Sequence, residues 1–217
     1  MDKALPVARS ELILGGQKSG KSRRAEALAQ AWLAQSATNK AVLIATAQPW
    51  DDEMRARIAR HQADRAQRVP GMHTVEEPLQ LAQAISAHSA PQTLIVVDCL
   101  TLWLTNWLMP VEQPLVGARA LPDASDAAPD VAKKFMENQP LALSYQAQLA
   151  MFMKAISSAT GPLVLVGNEI GMGVIPLGGE VRAFVDALGM LNQQVARSCA
   201  RVTLMAAGLP LTLKEVA

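Results

Sequence analysis

The sequence predicts an α/β domain with a largely parallel sheet covered by helices on both faces. Two observations carry that expectation. Short apolar runs suited to buried strands, at 12–14, 41–45, 93–98 and 163–167, alternate with stretches of helical period. The first run opens into Gly15-Gly16-Gln17-Lys18-Ser19-Gly20-Lys21-Ser22, which fits G-x-x-x-x-G-K-[ST] at every position. Beyond it, Ala25, Leu28, Ala29, Trp32 and Leu33 mark one face of a helix. Strand, glycine loop and helix together form the context that the phosphate-binding P-loop motif requires.

Composition sets bounds on function. A chain of 217 residues, half hydrophobic and 18% charged, suits one globular domain with a sizeable core. A net charge of +1 gives no reason to expect nucleic acid or an anionic membrane as a partner. The charge is uneven, however. Residues 1–68 hold 12 of the 20 Lys+Arg and 7 of the 19 Asp+Glu, leaving +5 there and −4 elsewhere. That basic excess surrounds the proposed phosphate site. Cys99 and Cys199 lie in apolar segments and read as two buried thiols. Asp98 interrupts an apolar run already too short for a membrane span, and the first residues lack a signal-peptide core. The expectation is a cytoplasmic protein without stable membrane insertion.

Taken in order, the second strand (41–45) exits through Thr46, and Asp51 and Asp52 offer caps for a helix over 51–68. That helix carries five arginines and few apolar residues; Met54, Ile58 and His61 share a face. Residues 72–75 read as a third strand, and Pro78 suits the first position of the helix that follows. The strand 93–98 ends in a carboxylate, and a helix over 100–109 comes next. Five of the 13 prolines fall within 110–140, which reads as a Pro-rich insertion in a single domain spanning 1–217. A helix resumes near Leu141, residues 163–167 form a strand closed by Asn168-Glu169, and a helix over 180–199 precedes the last strands at 202–206 and 211–213.

Ligands of parallel sheets collect at the carboxyl ends of the strands, so residues 15–22, Thr46, Asp98, Asn168 and Glu169 should share one rim. Backbone N–H groups of the glycine loop would curl around a phosphate, and Lys21 would add a mobile cation. The Ser22 hydroxyl and the Asp98 carboxylate would together hold Mg²⁺. Asp98 also reads as an ordinary helix cap. His61 reads either as a solvated histidine on a helix face or as a nucleophile towards phosphorus, with Arg57, Arg60 and Arg65 beside it. On these residues alone a kinase of another small alcohol and a non-catalytic nucleotide switch both stay open. Against the switch, the chain lacks the N-K-x-D guanine-reading motif.

Several longer stretches are more specific: LILGGQKSGKSRRAE (12–26), VLIATAQPWDDEMRARIARHQADR (42–65), TVEEP (74–78), VVDCLTLWLTN (96–106) and VGNEIGMGVIP (166–176). With Arg182, Asp186, Gly189, Asn192 and Gln193, they resemble in order the bifunctional adenosylcobinamide kinase/adenosylcobinamide-phosphate guanylyltransferase family of cobalamin biosynthesis. The resemblance implies a RecA-like P-loop fold and a homo-oligomer, with trimers among its members. It implies phosphorylation of adenosylcobinamide by ATP or GTP, then transfer of GMP from GTP to that phosphate through a guanylylated histidine matching His61. By position, Ala45, Thr46, Ala47, Gln62, Ala63, Asp64, Arg65, Glu76 and Asp98 would join Gly15, Gly16, Gln17, Lys18, Ser19, Gly20, Lys21 and Ser22 in contacting GTP. Asn168, Glu169, Arg182 and Asp186 would face the corrinoid substrate. The chain departs from the family pattern at Val185, where an arginine is common, and lacks a tryptophan before TVEEP.

Overall fold

Period-two burial along the strands divides the hydrophobic side chains between two faces of one sheet. Leu12, Leu14, Val42, Ile44, Ile95, Val97, Leu163 and Leu165 pack on one side, and Ile13, Ala41, Leu43, Leu94, Val96, Val164 and Val166 on the other. The computed structural model describes residues 5–109 and 139–216. Its elements are β1 (Ser10–Gly15), α1 (Lys21–Gln35), β2 (Lys40–Ala45), α2 (Asp52–Arg68), β3 (Met72–Glu76), α3 (Leu81–His88) and β4 (Thr93–Asp98). They continue with α4 (Leu100–Leu108), α5 (Gln139–Ser158), β5 (Leu163–Val166), α6 (Gly179–Ser198), β6 (Arg201–Ala206) and β7 (Leu209–Glu215).

Among the described residues seven strands form a sheet in the order β3-β2-β4-β5-β1-β6-β7. The pairs from β3 to β6 are parallel, whereas β7 returns antiparallel along β6. Its direction follows from the two-residue turn Ala207-Gly208, whose φ angles of 52° and 81° suit a tight hairpin. Helices α3, α4, α5 and α6 cover the first face around Trp103 and Phe152, whose ring centroids lie 5.2 Å apart. On the second face α1 inserts Ala25, Leu28 and Ala29. Both cysteines are free and buried, as their apolar settings imply. None of the described helices is long and apolar enough to cross a membrane.

Two expectations need adjustment. Helix α3 starts at Leu81 and not at Pro78, because the Glu77 carboxylate accepts the N–H groups of Leu79 and Gln80 and holds Pro78 in a capped turn. On α2, Met54 and Ile58 are half-buried but His61 is exposed, so the histidine does not share their packed face. The Pro-rich insertion expected at 110–140 lies outside the described residues except at its end, where α5 begins.

Candidate functional site

The glycine loop leaves β1 in the interior of the sheet, and Gly15 and Gly20 stand in close quarters while Gly16 has open space around it. At Gly15 a Cβ would stand 2.5 Å from the Met205 carbonyl oxygen and 2.6 Å from Ser19 Oγ. Gly20, at φ 102°, would carry its Cβ 3.3 Å from Gly208 Cα in a left-handed conformation. The loop is closed by Ser19 N–H donating to Gly16 O (3.3 Å) and braced by Gly208 N–H donating to Ser19 O (3.0 Å). Gly16, Gln17 and Lys18 stay exposed. Lys21 folds back so that Nζ donates to Gly16 O at 2.6 Å, which holds the ammonium over the loop. Burial lowers its pKa; Cys99 and Asp98 oppose that shift, and Arg57 adds to it. The half-buried Ser22 hydroxyl has no partner among the described residues.

Strand β5 separates β1 from β4, so the rim beside the loop holds Asn168-Glu169 and then Asp98. Asp98 is half-buried, and among the described residues its carboxylate has no hydrogen-bond partner, although it acts on both Lys21 and Arg65. Thr46, from β2, spends all its polar groups inside the protein. Its N–H donates to Asp98 O, its hydroxyl donates to Cys99 O and accepts from Cys99 N, and its carbonyl accepts from Asn106 Nδ2. It is fully buried, so contact with a ligand there is left to Ala45 and Ala47, both half-buried. Burial beside Asp98 pushes the Cys99 thiol up to about 11, which keeps it protonated next to the phosphate site.

Helix α2 passes over this rim with no buried residue. Its N-terminus is capped by Asp51 Oδ1, which accepts Met54 N–H at 2.7 Å. Farther along, Gln62 Nε2 donates to Glu76 Oε1 (3.1 Å), Arg65 to Thr74 Oγ1 (3.4 Å) and Arg68 to Glu26 Oε2 (3.0 Å). Asp64 pairs with Arg68 at 3.3 Å, and Ala63 is exposed. Arg57 acts electrostatically on Lys21, and Arg65 is half-buried beside Asp98, which opposes the lowering of its pKa by burial. His61 stands one turn from each. Both arginines that flank it therefore look toward the phosphate-binding rim.

These features match a known pattern along nearly the whole chain: a family model described as cobinamide kinase / cobinamide phosphate guanyltransferase (CobU) fits residues 11–213. The chain belongs to that family. The bifunctional adenosylcobalamin biosynthesis protein CobP of Pseudomonas aeruginosa is 40% identical over 206 residues, covering 94% of this chain and 96% of that protein. Its counterpart CobU of Escherichia coli is 32% identical over 203 residues, covering 94% and 98%. The solved flagellar accessory protein FlaH of Methanocaldococcus jannaschii aligns with 98% of this chain and 80% of its own at 10% identity. At a TM-score of 0.46 that likeness carries no argument. The fold of this cobinamide kinase family member is the P-loop α/β fold, a largely parallel sheet with β5 lying between the glycine-loop strand and the Asp98 strand.

Other parts of the CobU-family site escape motif reading. Glu11 on β1 is 1% exposed, yet it accepts from Arg24 Nε (2.8 Å), Thr203 Oγ1 (2.8 Å) and Arg201 Nη1 (3.4 Å). Arg24 lies one turn past Lys21, so this buried carboxylate fastens the start of α1 to its own strand. Asn106 Nδ2 joins the exits of β2 and β3 by donating to Thr46 O (2.8 Å) and Pro78 O (2.9 Å). Arg182 is exposed, and its Nη1 donates to the carbonyls of Pro176 and Leu177, which shapes the loop ahead of α6. Asp186 is exposed on α6. A cavity of about 390 Å³ opens between α6 and the last strands, lined by Leu14, Glu169, Asn192, Gln193, Leu213 and Lys214 among others.

Proposed function

We propose that this chain carries both activities in its family's name. It phosphorylates the side-chain hydroxyl of adenosylcobinamide with ATP or GTP, then passes GMP from GTP through His61 to that phosphate, giving adenosylcobinamide-GDP. The observation that carries the second step is the strip Arg57, His61, Arg65 on α2, whose outer members are electrostatically coupled to Lys21 and Asp98. In the kinase step, loop N–H groups and Lys21 stabilise charge on the transferred phosphoryl group. In the transferase step, a neutral His61 nitrogen attacks the α-phosphorus and pyrophosphate leaves. Arg57 and Arg65 take up charge on the departing group.

The donor set fits Mg²⁺: a hydroxyl at Ser22 and an uncommitted carboxylate at Asp98 are hard oxygen ligands. When bound, the ion would neutralise phosphate charge. Ala45, Ala47, Gln62, Ala63, Asp64 and Glu76 border the same rim and are read as nucleotide contacts. Assembly into a homo-oligomer, a trimer by family resemblance, is supported by exposed apolar side chains, with Val174 at 96% and Leu177 at 97% exposure. The reactions are placed in the cytoplasm, where the triphosphates are supplied.

The test is to incubate the purified protein with adenosylcobinamide and either ATP or GTP, then identify products by mass. Adenosylcobinamide phosphate with either triphosphate, and adenosylcobinamide-GDP with GTP, are the expected products. Recovery of unmodified cobinamide from every mixture would remove the proposal.

A further inference from the structure

The kinase step needs a group to take the proton of the attacking hydroxyl, and nothing so far described supplies it. Lys21 is a cation. Asp98 is flanked by Lys21 and Arg65 and is suited to a metal. His61 sits on α2 and serves the other transfer. Among the described residues a further acid joined to the loop is Glu169, at the exit of the strand between β1 and β4.

Its placement is unusually constrained. Glu169 N–H donates to Gly15 O at 3.1 Å, so its backbone is joined to the first residue of the glycine loop. The residue before it is pinned twice: Asn168 N–H donates to Thr101 Oγ1 (2.9 Å), and Asn168 O accepts from Asn192 Nδ2 (3.0 Å). Gly167 N–H donates to Ile13 O (3.0 Å), and a Cβ at Gly167 would lie 3.2 Å from both Asn192 Oδ1 and Leu14 Cδ2. The turn is thus held by β1, α4 and α6 together. Within it the half-buried Glu169 carboxylate accepts one backbone N–H, from Gly171 at 3.1 Å, and has no cationic partner among the described residues. A carboxylate in a turn fixed by backbone, with no ion pair of its own among the described residues, is positioned to meet a substrate hydroxyl.

Glu169 also lines an open depression of about 390 Å³ between α6 and the last strands. It therefore joins the phosphate loop to this depression. The other polar liners are Asn192, whose Oδ1 is buried without a partner among the described residues, Gln193, and Lys214, whose ammonium donates to the carbonyls of Ala196, Arg197 and Cys199. Such a volume is too small for a whole corrinoid but suits an alcohol-bearing amide arm, whose N–H and C=O groups match amide side chains.

We propose that Glu169 is the general base of phosphoryl transfer, and that the cavity beside it receives the amide-linked alcohol arm of the acceptor. The inference rests on the kinase reading above. The hydroxyl oxygen forms a bond to the γ-phosphorus, the bond from that phosphorus to the β,γ-bridging oxygen breaks, and the nucleoside diphosphate leaves with the electron pair. The hydroxyl proton passes to the Glu169 carboxylate. Lys21 stabilises the charge on the departing oxygen.

The experiment measures phosphorylation of adenosylcobinamide by the full chain and by Glu169→Gln, with kcat, KM and a pH–rate profile for each. Glutamine keeps the acceptor for Gly171 N–H and removes only the base. The expected result is a fall in kcat of about 100-fold or more, with triphosphate affinity within about threefold of wild type. The loss of rate toward acid pH that a carboxylate base imposes should vanish in the variant. Glu169→Asp, a shorter carboxylate, should be slow yet keep that acid limb, and it serves if the glutamine variant does not fold. An active wild type with kcat of Glu169→Gln within about threefold of it, or an unchanged acid limb, overturns this inference alone. Weakened triphosphate binding in parallel with kcat overturns it too, by showing a structural role. A wild type that makes no cobinamide phosphate removes the kinase reading and this inference together.

Discussion

Helices α1 and α2 each bring charged residues to the same phosphate-binding rim, yet they are held in opposite ways. The first buries Lys21, Ala25, Glu26, Leu28 and Ala29 and is fastened at its first turn through Arg24 and the buried Glu11. The second buries nothing. Beyond local contacts at its start, its tethers are the side chains of Gln62, Arg65 and Arg68, all in its second half. Apolar burial stabilises by far more than exposed ion pairs do, so α2 belongs to the low-stability end of the molecule. The difference tracks the two chemistries. A phosphate cradle works by being already in place when charge develops, whereas a nucleophile that must approach a phosphorus and then turn to a second acceptor gains from a looser mounting.

Mutations can break this comparison at several levels. The largest effect should come from His61→Ala, which is expected to abolish covalent labelling by GTP carrying label at the α-phosphate. An acid-labile, alkali-stable adduct on wild type and its absence from the variant are the expected outcomes. Equal labelling of the two would return His61 to an ordinary exposed residue. Substantial kinase activity should survive, since transfer to the hydroxyl needs no enzyme-bound intermediate. Next comes Lys21→Ala, for which phosphorylation of adenosylcobinamide should slow by about two to three orders of magnitude with the thermal transition intact. Near-normal turnover by a soluble variant would contradict the role given to the ammonium.

The smallest effects concern stability and test the mounting itself. Leu28 is fully buried on α1, and Leu28→Ala should cost about 2–5 kcal/mol in urea denaturation. Ile58 is half-buried on α2, and Ile58→Ala should cost about 1 kcal/mol or less. Equal losses would mean that α2 is anchored as firmly as α1.

Much of this architecture is readable in the chain because it is local. Apolar runs ending in Gly15, Thr46, Asp98 and Asn168 announce parallel strands whose exits meet, and they do meet. The glycine loop is legible because its motif is contiguous, although the crowding at Gly15 and Gly20 comes in large part from the distant Met205 and Gly208. What sequence reasoning misses is decided by distant partners. Glu11 looks like an interruption of a strand until Arg24, Arg201 and Thr203 close around it from separations as large as 192 residues. Thr46 fits a nucleotide contact by position, but Cys99 and Asn106 have already engaged its polar groups. The exposure of His61 is invisible to periodicity, which places it beside Ile58 without revealing how little of α2 the sheet covers. The cavity near Glu169 depends on how α6 lies across β1, β6 and β7, which no spacing encodes.

The interior position of β1 also has a consequence for how the molecule is made. Its hydrogen-bonding neighbours are β5 and β6, which begin at Leu163 and Arg201. On the ribosome the N-terminal glycine loop emerges long before either neighbour exists, while β2, β3 and β4 can already pair with one another. Closing β1 between strands so far along the chain is a late, high-contact-order event with a large loop-closure cost. The brace from Gly208 to Ser19 arrives later still, once β6 has been made. A nascent chain halted before residue 163 would carry the whole phosphate-binding motif and neither of the strands that hold it in place.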